Sequence, residues 1–177
     1  MTTPGQLDRE IVTRAFRSMA DHLATAHRRG EILLAGGAVM ALVYDSQRVT
    51  RDVDGLIVVG HGDVLAASDA AATELGLRRG WLNEGVSIYL SKQPDPTRTA
   101  IFDHPNLAVY AVSAGHLLAL KARAARAQDL DDLQQLISLL GLSTADELFG
   151  VVESFFPDDP LGDRARAVIE DLFRDPA

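Results

Sequence analysis

Leu34-Ala35-Gly36-Gly37-Ala38-Val39-Met40, nine further residues, then Thr50-Arg51-Asp52-Val53-Asp54: how these two segments are read decides the fold. Ile32-Leu33-Leu34-Ala35 is a short apolar run that suits a buried strand, and Gly36-Gly37 breaks it into a tight turn. Ala38 to Val43 is apolar without Gly or Pro and fits a helix starting at that turn. After the polar stretch Asp45 to Arg51, residues 52–59 read as a second strand with two carboxylates at its start. A double glycine between strand and helix lets the backbone approach a ligand closely with its N–H groups outward. The positive end of the helix behind it makes this a phosphate site. Asp52 and Asp54 stand at i and i+2, so on a strand they share a face, with Cβ atoms ~6–7 Å apart at ~3.3 Å rise per residue. Two carboxylates so spaced suit a hard cation such as Mg²⁺, which also takes phosphate oxygens.

Outward from this centre, Leu7, Ile11, Phe16, Met19, Ala20 and Leu23 mark an amphipathic helix over 7–29, with a basic end at His27-Arg28-Arg29. Residues 62–76, rich in Ala and Leu, read as a helix. Residues 77–106 carry few signals beyond a strand around Thr99 to Phe102. Leu107 to Val112 reads as a strand, and Ser113 caps a helix to about Ala127. Further helices follow at 130–140, closed by Gly141, and around 144–155 and 161–173. The expected fold is α/β of the α+β kind: a small mixed sheet flanked by helices over 1–112, with a helical part over 113–177 packed on it.

The chain has 177 residues, 47% hydrophobic and 24% charged, enough for a real core and incompatible with a disordered or fibrous class. With no cysteine, disulfides, thiolate zinc sites and cysteine nucleophiles are excluded together. No apolar run reaches ~18 residues and the N-terminus lacks the layout of a secretion signal, so the expected location is the cytoplasm, away from membranes. Seventeen basic residues against 25 acidic give a net charge of −8. A nucleic-acid substrate therefore needs a local basic patch or a cation-bridged site. Arg48, Arg51, Arg78, Arg79, Arg123 and Arg126 are candidates for the patch.

Taken singly, the double glycine reads as a turn and Asp-x-Asp as a solvated strand end; order and spacing join them. Together, Gly36-Gly37 and Thr50-Arg51-Asp52-Val53-Asp54 resemble the first motif of the DNA polymerase β-like nucleotidyltransferase superfamily, whose minimal fold is the one expected here. More narrowly, the chain resembles the AbiEii/AbiGii-type, MenT-like toxin nucleotidyltransferases. Leu117-Leu118-Ala119-Leu120-Lys121, followed by Ala124, Arg126, Asp129, Asp132 and Leu133, resembles that group's lysine motif and its later Asp-x-x-Asp-Leu motif. The resemblance covers about 34–59 and 107–136. It implies a toxin transferring NMP from an NTP to RNA, with the 3′ end of a tRNA the leading acceptor, Mg²⁺ or Mn²⁺ as cofactor, and a cognate antitoxin as protein partner. Asp52 and Asp54 would hold metal; Gly36, Gly37, Thr50, Arg51 and Lys121 would bind nucleotide. Lys121 would stabilise phosphate charge, and Asp132 would orient or activate the attacking hydroxyl. On this reading Asp52→Asn or Lys121→Ala abolishes incorporation and leaves the fold intact.

Other readings stand beside these. Lys121 on a helix among leucines can extend to solvent, and Asp129 is a natural helix N-cap. Many polymerase β-like enzymes place a third acid in a later strand, and Leu107 to Val112 has none; Glu84 and Asp103 lie in less readable segments. Trp81 in Trp81-Leu82-Asn83-Glu84 is either a packed core residue or a site-lining element. The acceptor could instead be a small cationic molecule of the aminoglycoside kind, suited to an acidic cleft, or a protein hydroxyl. The chain could also be an inactive nucleotide-binding relic of such an enzyme. A helix-turn-helix regulator is disfavoured because Gln128 to Asp146 contains no Lys or Arg to meet phosphates.

Overall fold

The computed structural model describes residues 6–44 and 48–174; residues 45–47 of the polar stretch lie outside them. The chain forms two compact units, one of residues 1–88 with 98–112 and one of residues 89–97 with 113–177.

In the first unit α1 (Arg9–Thr25) begins where the Asp8 carboxylate accepts the Ile11 N–H at 2.8 Å. Its apolar stripe of Val12, Ala15, Phe16, Met19 and Leu23 is buried. The strands β1 (Gly30–Ala35), β2 (Val53–Val59), β3 (Leu82–Asn83), β4 (Thr99–His104) and β5 (Leu107–Ala111) form one mixed sheet in the order β3-β2-β1-β5-β4. β1 runs antiparallel to β2 and parallel to β5, while β3 is parallel to β2 and β4 antiparallel to β5. Alternation sends Ile32, Leu34, Val53, Ile57, Leu107 and Val109 to one buried face. Over that face lie α1 and α3 (His61–Leu75), packed on each other and on the strands. They approach closely: a Cβ on Gly30 would stand 2.4 Å from a methyl of Val64 on α3. Trp81 seals the same core, with its ring 6.0 Å from Phe16 and its Nε1–H donating to Ser68 O at 3.2 Å. The opposite sheet face carries the half-buried Leu33, Leu56 and Tyr110 and ends in Asp54, whose register partner on β3 is Asn83.

The α+β expectation is met, with differences at particular elements. The helix expected over Ala38 to Val43 is only a three-residue α turn, α2 (Gly37–Val39), which runs on as a π-helical turn, Met40–Tyr44. Such π turns recur at functional sites.

In the second unit Ser113 caps α4 (Ala114–Ala124), its Oγ accepting the His116 N–H at 3.2 Å. α4 stops earlier than expected because Ala125 adopts a left-handed φ of 44°. A 3-10 turn, Ala127–Asp129, leads into α5 (Leu130–Leu140), which Gly141 ends in the same left-handed conformation, at φ 65°. Thr144 and Glu147 form a capping box at α6 (Ala145–Phe155), and α7 (Asp163–Arg174) follows. α4 is the hub: Leu117, Leu118 and Ala122 are buried where α5, α6 and α7 pack around it, with Leu133, Leu136, Leu148 and Ile169 in the same core. No single helix among the described residues is long and apolar enough to cross a membrane.

Candidate functional site

The register of the central hairpin brings the glycine turn to the acidic strand. Ala35, the last residue of β1, is the partner of Asp54 on β2, so the chain leaving β1 turns over the Asp54 carboxylate. Gly36 takes φ +71°, and a Cβ there would lie 3.4 Å from Asp54 Oδ2. Gly37 faces Thr50, whose Oγ1 lies 3.9 Å from where a Gly37 Cβ would be. Thr50 itself is fixed twice. Its backbone pairs with Leu7 through hydrogen bonds of 2.7 and 2.9 Å, and its hydroxyl donates to the Asp52 carbonyl at 2.8 Å. Gly36, Gly37, Thr50 and Asp54 thus meet at one end of the sheet, on the face away from α1 and α3. Arg51 is exposed beside them.

Burial raises the Asp54 carboxyl above the ordinary aspartate range; the negative charge of Asp52 raises it further, and a hydrogen bond from the Asn83 side chain opposes both. The site therefore holds two carboxylates that repel one another under partial desolvation. A divalent cation relieves that repulsion, so the donor set fits Mg²⁺ or Mn²⁺, which two carboxylates commonly hold together with water and substrate phosphates. Among the described residues no three acidic or histidine side chains converge as a ready-made metal cage. Glu84, a sequence candidate for a third acid, is engaged elsewhere. Its Oε1 accepts the Ile57 N–H at 2.9 Å and its Oε2 lies 2.7 Å from His61 Nε2, so it covers the open edge of β2 beyond the short β3. Asp103 is exposed on β4.

Asn83 is a site residue that sequence reading passed over. Besides its bond to Asp54, its Oδ1 accepts the Gly85 N–H at 2.9 Å, and a Cβ on Gly85 would stand 3.8 Å from Asp54 Oδ1. The only signal for Asn83 in the sequence is its place in Trp81-Leu82-Asn83-Glu84-Gly85. Trp81 is a core residue, 1% exposed. Of the candidate arginines in this unit, Arg78 approaches Asp52 at 3.8 Å with its side chain largely in water, and Arg79 pairs with Asp69 at 3.5 Å. Exposed pairs of this kind contribute little to stability.

Lys121, Asp129 and Asp132 belong to the second unit and form a cluster within it. The Lys121 ammonium lies 2.7 Å from Asp129 Oδ1 and 2.6 Å from Asp132 Oδ2, with all three side chains close to fully buried. Lys121 therefore does not extend to solvent. Asp129 does occupy the N-cap position of α5, but its side chain makes no capping bond and accepts from Lys121 instead. The reversal at Ala125 brings the 3-10 turn back against α4 and allows this. Arg123 is held by Asp159 and lies over the Phe156 ring.

The same unit holds a serine, a histidine and an aspartate in contact, but in the wrong arrangement for nucleophilic catalysis. His116 Nε2 accepts the backbone N–H of Ser91 at 3.1 Å, while the Ser91 hydroxyl donates to the Phe155 carbonyl at 2.5 Å. His116 Nδ1 faces Asp95 Oδ2 at 3.2 Å, and the same oxygen accepts the Ser113 N–H at 2.9 Å. The hydroxyl is not presented to the imidazole. These bonds attach the 89–97 segment to α4 and α6. Burial lowers the His116 pKa below the usual histidine value, opposed by the hydrogen bond and charge of Asp95.

No protein-family model, curated protein or solved structure matches the chain.

Proposed function

We propose that the protein is a Mg²⁺- or Mn²⁺-dependent nucleotidyltransferase that moves NMP from an NTP to RNA, with a tRNA 3′ end as the acceptor. The observation that carries this reading is the closure of the Gly36-Gly37 turn on the Asp54 carboxylate, with Asp52 charging the same spot. A glycine turn without Cβ atoms admits a triphosphate against the backbone, and the acidic pair beside it accepts the cation that accompanies every NTP. Bound Mg²⁺ supplies neutralisation of charge on the triphosphate and leaving pyrophosphate. The chain's own contribution is positional: Gly36 and Gly37 leave space for phosphates, and Thr50 locks the segment that presents Asp52. Asn83 orients the Asp54 carboxylate. The α2 dipole adds less than a full α-helix would, because only three residues are α-helical before the π turn. Lys121 and Asp132 enter as phosphate-stabilising and hydroxyl-orienting groups through the family resemblance alone. The toxin role, a cognate antitoxin and a cytoplasmic location enter on the same footing.

The test is incubation of the purified protein with each labelled NTP, Mg²⁺ or Mn²⁺, and total tRNA. Label is expected in RNA with wild type and absent with Asp52→Asn. Full activity of Asp52→Asn overturns the mechanism. Label passing to an aminoglycoside or a protein instead of RNA retains the enzyme class and replaces the acceptor.

A further inference from the structure

The first unit owes its positive charge to arginine alone: both lysines of the chain, Lys92 and Lys121, fall in the second. Three of those arginines line one feature. An open cleft of about 630 Å³ runs along the exposed side of α1, bounded by Asp8, Arg9, Glu10, Thr13, Arg14 and Arg17. Arg9, Thr13 and Arg17 stand at i, i+4 and i+8, one above another on the helix, with Arg14 beside them. Arg14 and Arg17 make no ion pair among the described residues. The cleft is tied to the candidate site through two connections. Leu7, just before α1, is paired by two backbone hydrogen bonds with Thr50, and Arg9 donates to the Leu42 carbonyl in the π turn that follows Gly36-Gly37.

We propose that this arginine-lined face of α1 is the seat of the acceptor's phosphate backbone, a single-stranded RNA segment leading its 3′ hydroxyl to the glycine–aspartate site. Guanidinium groups suit this ligand because their planar forks pair with phosphate oxygens two at a time and stay charged. From Arg9 to Arg17 the helix rises ~12 Å at ~1.5 Å per residue, the length of three to four stacked nucleotides at ~3.4 Å each. The two carboxylates of the cleft weaken its field, but the three guanidinium groups outnumber them. Asp8 accepts the Ile11 N–H as the helix cap, and Glu10 sits in the first turn where the helix dipole favours an acid. The face also answers the charge problem. The net −8 excludes a generally basic surface, and a short arginine track beside the site supplies the local one required. The inference rests on the nucleotidyltransferase reading for its choice of RNA, but its test does not depend on catalysis.

Anisotropy of a short, 5′-fluorescein-labelled single-stranded RNA is measured against salt, without NTP or metal, for wild type, Arg14→Gln/Arg17→Gln and Glu10→Gln. Losing two phosphate contacts should reduce the magnitude of the log K against log salt slope by about 1.4 and weaken binding ~20-fold at 0.1 M salt, at ~0.7 per contact. Glu10→Gln should move affinity the other way. Circular dichroism of each variant, with glutamine preserving helix propensity, keeps a folding loss from passing as a binding loss. Calorimetry of Mg–NTP binding is run in parallel. Loss of RNA binding with NTP binding retained supports the track. RNA binding that the double variant leaves unchanged in affinity and slope overturns it, as does a wild type that binds no RNA at low salt. So does equal displacement by poly-glutamate, which would assign the face to an acidic protein. A wild type that binds RNA through α1 but no NTP defeats the nucleotidyltransferase reading and leaves the RNA track standing.

Discussion

Replacing Lys121 by methionine tests how the second unit holds its buried charge. The ammonium is shared at 2.7 and 2.6 Å between Asp129 and Asp132, and the residue is 7% exposed, so neither carboxylate can turn to water once the cation is gone. Methionine keeps most of the stem's volume and apolar contact, which isolates the charge effect. Removing one partner of a buried pair costs about 3–5 kcal/mol, because the remaining charge is left uncompensated. Here two acids remain, so the upper half of that range is expected. For a chain of this length, 1 kcal/mol moves Tm by about 2–4 °C, which places the loss at roughly 8–20 °C. Adding Asp129→Asn and Asp132→Asn to Lys121→Met removes the stranded charges and should recover most of it. The assay is thermal unfolding at pH 7, followed by far-UV circular dichroism, with the fluorescence of Trp81 reporting separately on the first unit. A Lys121→Met protein that melts within about 2 °C of wild type refutes the reasoning, as does a triple variant no more stable than the single one. The same arithmetic revises the expectation that Lys121→Ala leaves the fold intact. An inactive Lys121→Ala protein would speak for a damaged second unit as readily as for a lost phosphate contact. The activity of a Lys121 variant is therefore compared with wild type only at temperatures where circular dichroism shows both to be folded.

Mg²⁺ or Mn²⁺ at 100 times its Kd should stabilise wild type by about 2.7 kcal/mol and leave Asp52→Asn and Asp54→Asn unmoved; equal thermal shifts in all three proteins would remove the metal from these residues. Without metal, the raised Asp54 pKa means the folded state favours the protonated carboxyl, so its contribution is present below the unfolded value of 3.8 and is lost as pH rises through the folded one. Asp54→Asn should therefore melt above wild type at pH 7 in chelator. His116 works in the opposite sense. Its folded pKa is depressed, so its contribution is present above the unfolded value of 6.5 and is lost as pH falls through the folded one. The decline in Tm from pH 7 to pH 5 should be shallower in His116→Asn. Two glycines at the start of α3 should respond with opposite signs. Gly60→Ala places a Cβ 2.3 Å from the Arg29 carbonyl oxygen at φ +73° and should cost more than about 2 kcal/mol, whereas Gly62→Ala meets nothing within 4 Å and should gain about 0.5–1 kcal/mol, read by chemical denaturation.

Where local chemistry decided an element, the sequence made it readable. β1 and β2 announced themselves as apolar runs, Ser113 and Gly141 bounded α4 and α5 as their capping chemistry requires, and Thr144 with Glu147 formed the expected start of α6. The glycine turn and Asp54 could be joined on paper because one hairpin register connects them. Elements decided by distant partners were not readable. β3 has two residues and exists because Leu82 and Asn83 meet the start of β2, a pairing no periodicity of two residues can signal. The 89–97 segment belongs with the helices because buried His116 takes the Ser91 N–H and Asp95 takes the Ser113 N–H, contacts 18 to 25 positions apart in the chain. Asp129 showed the spacing of a cap, but a buried ammonium is a stronger partner for a carboxylate than a backbone N–H open to water.

The two acidic pairs of this protein show why one is read as a site and the other as a strut. Asp129 and Asp132 share an internal partner: the Lys121 ammonium lies between them at hydrogen-bond distance. Among the described residues, Asp52 and Asp54 have no such cation at hydrogen-bond distance. Arg78 stands 3.8 Å from Asp52 on a largely exposed side chain, while a hydrogen bond from Asn83 opposes the burial of Asp54 and its neighbour's charge. A fold selected for stability alone gains nothing by gathering like charges under partial desolvation, with a glycine at left-handed φ turning over one of them. On the proposed reading, a small cation with oxygen ligands of its own would relieve that repulsion. This is why added cation should raise the melting temperature of the first unit and leave the Lys121 cluster indifferent.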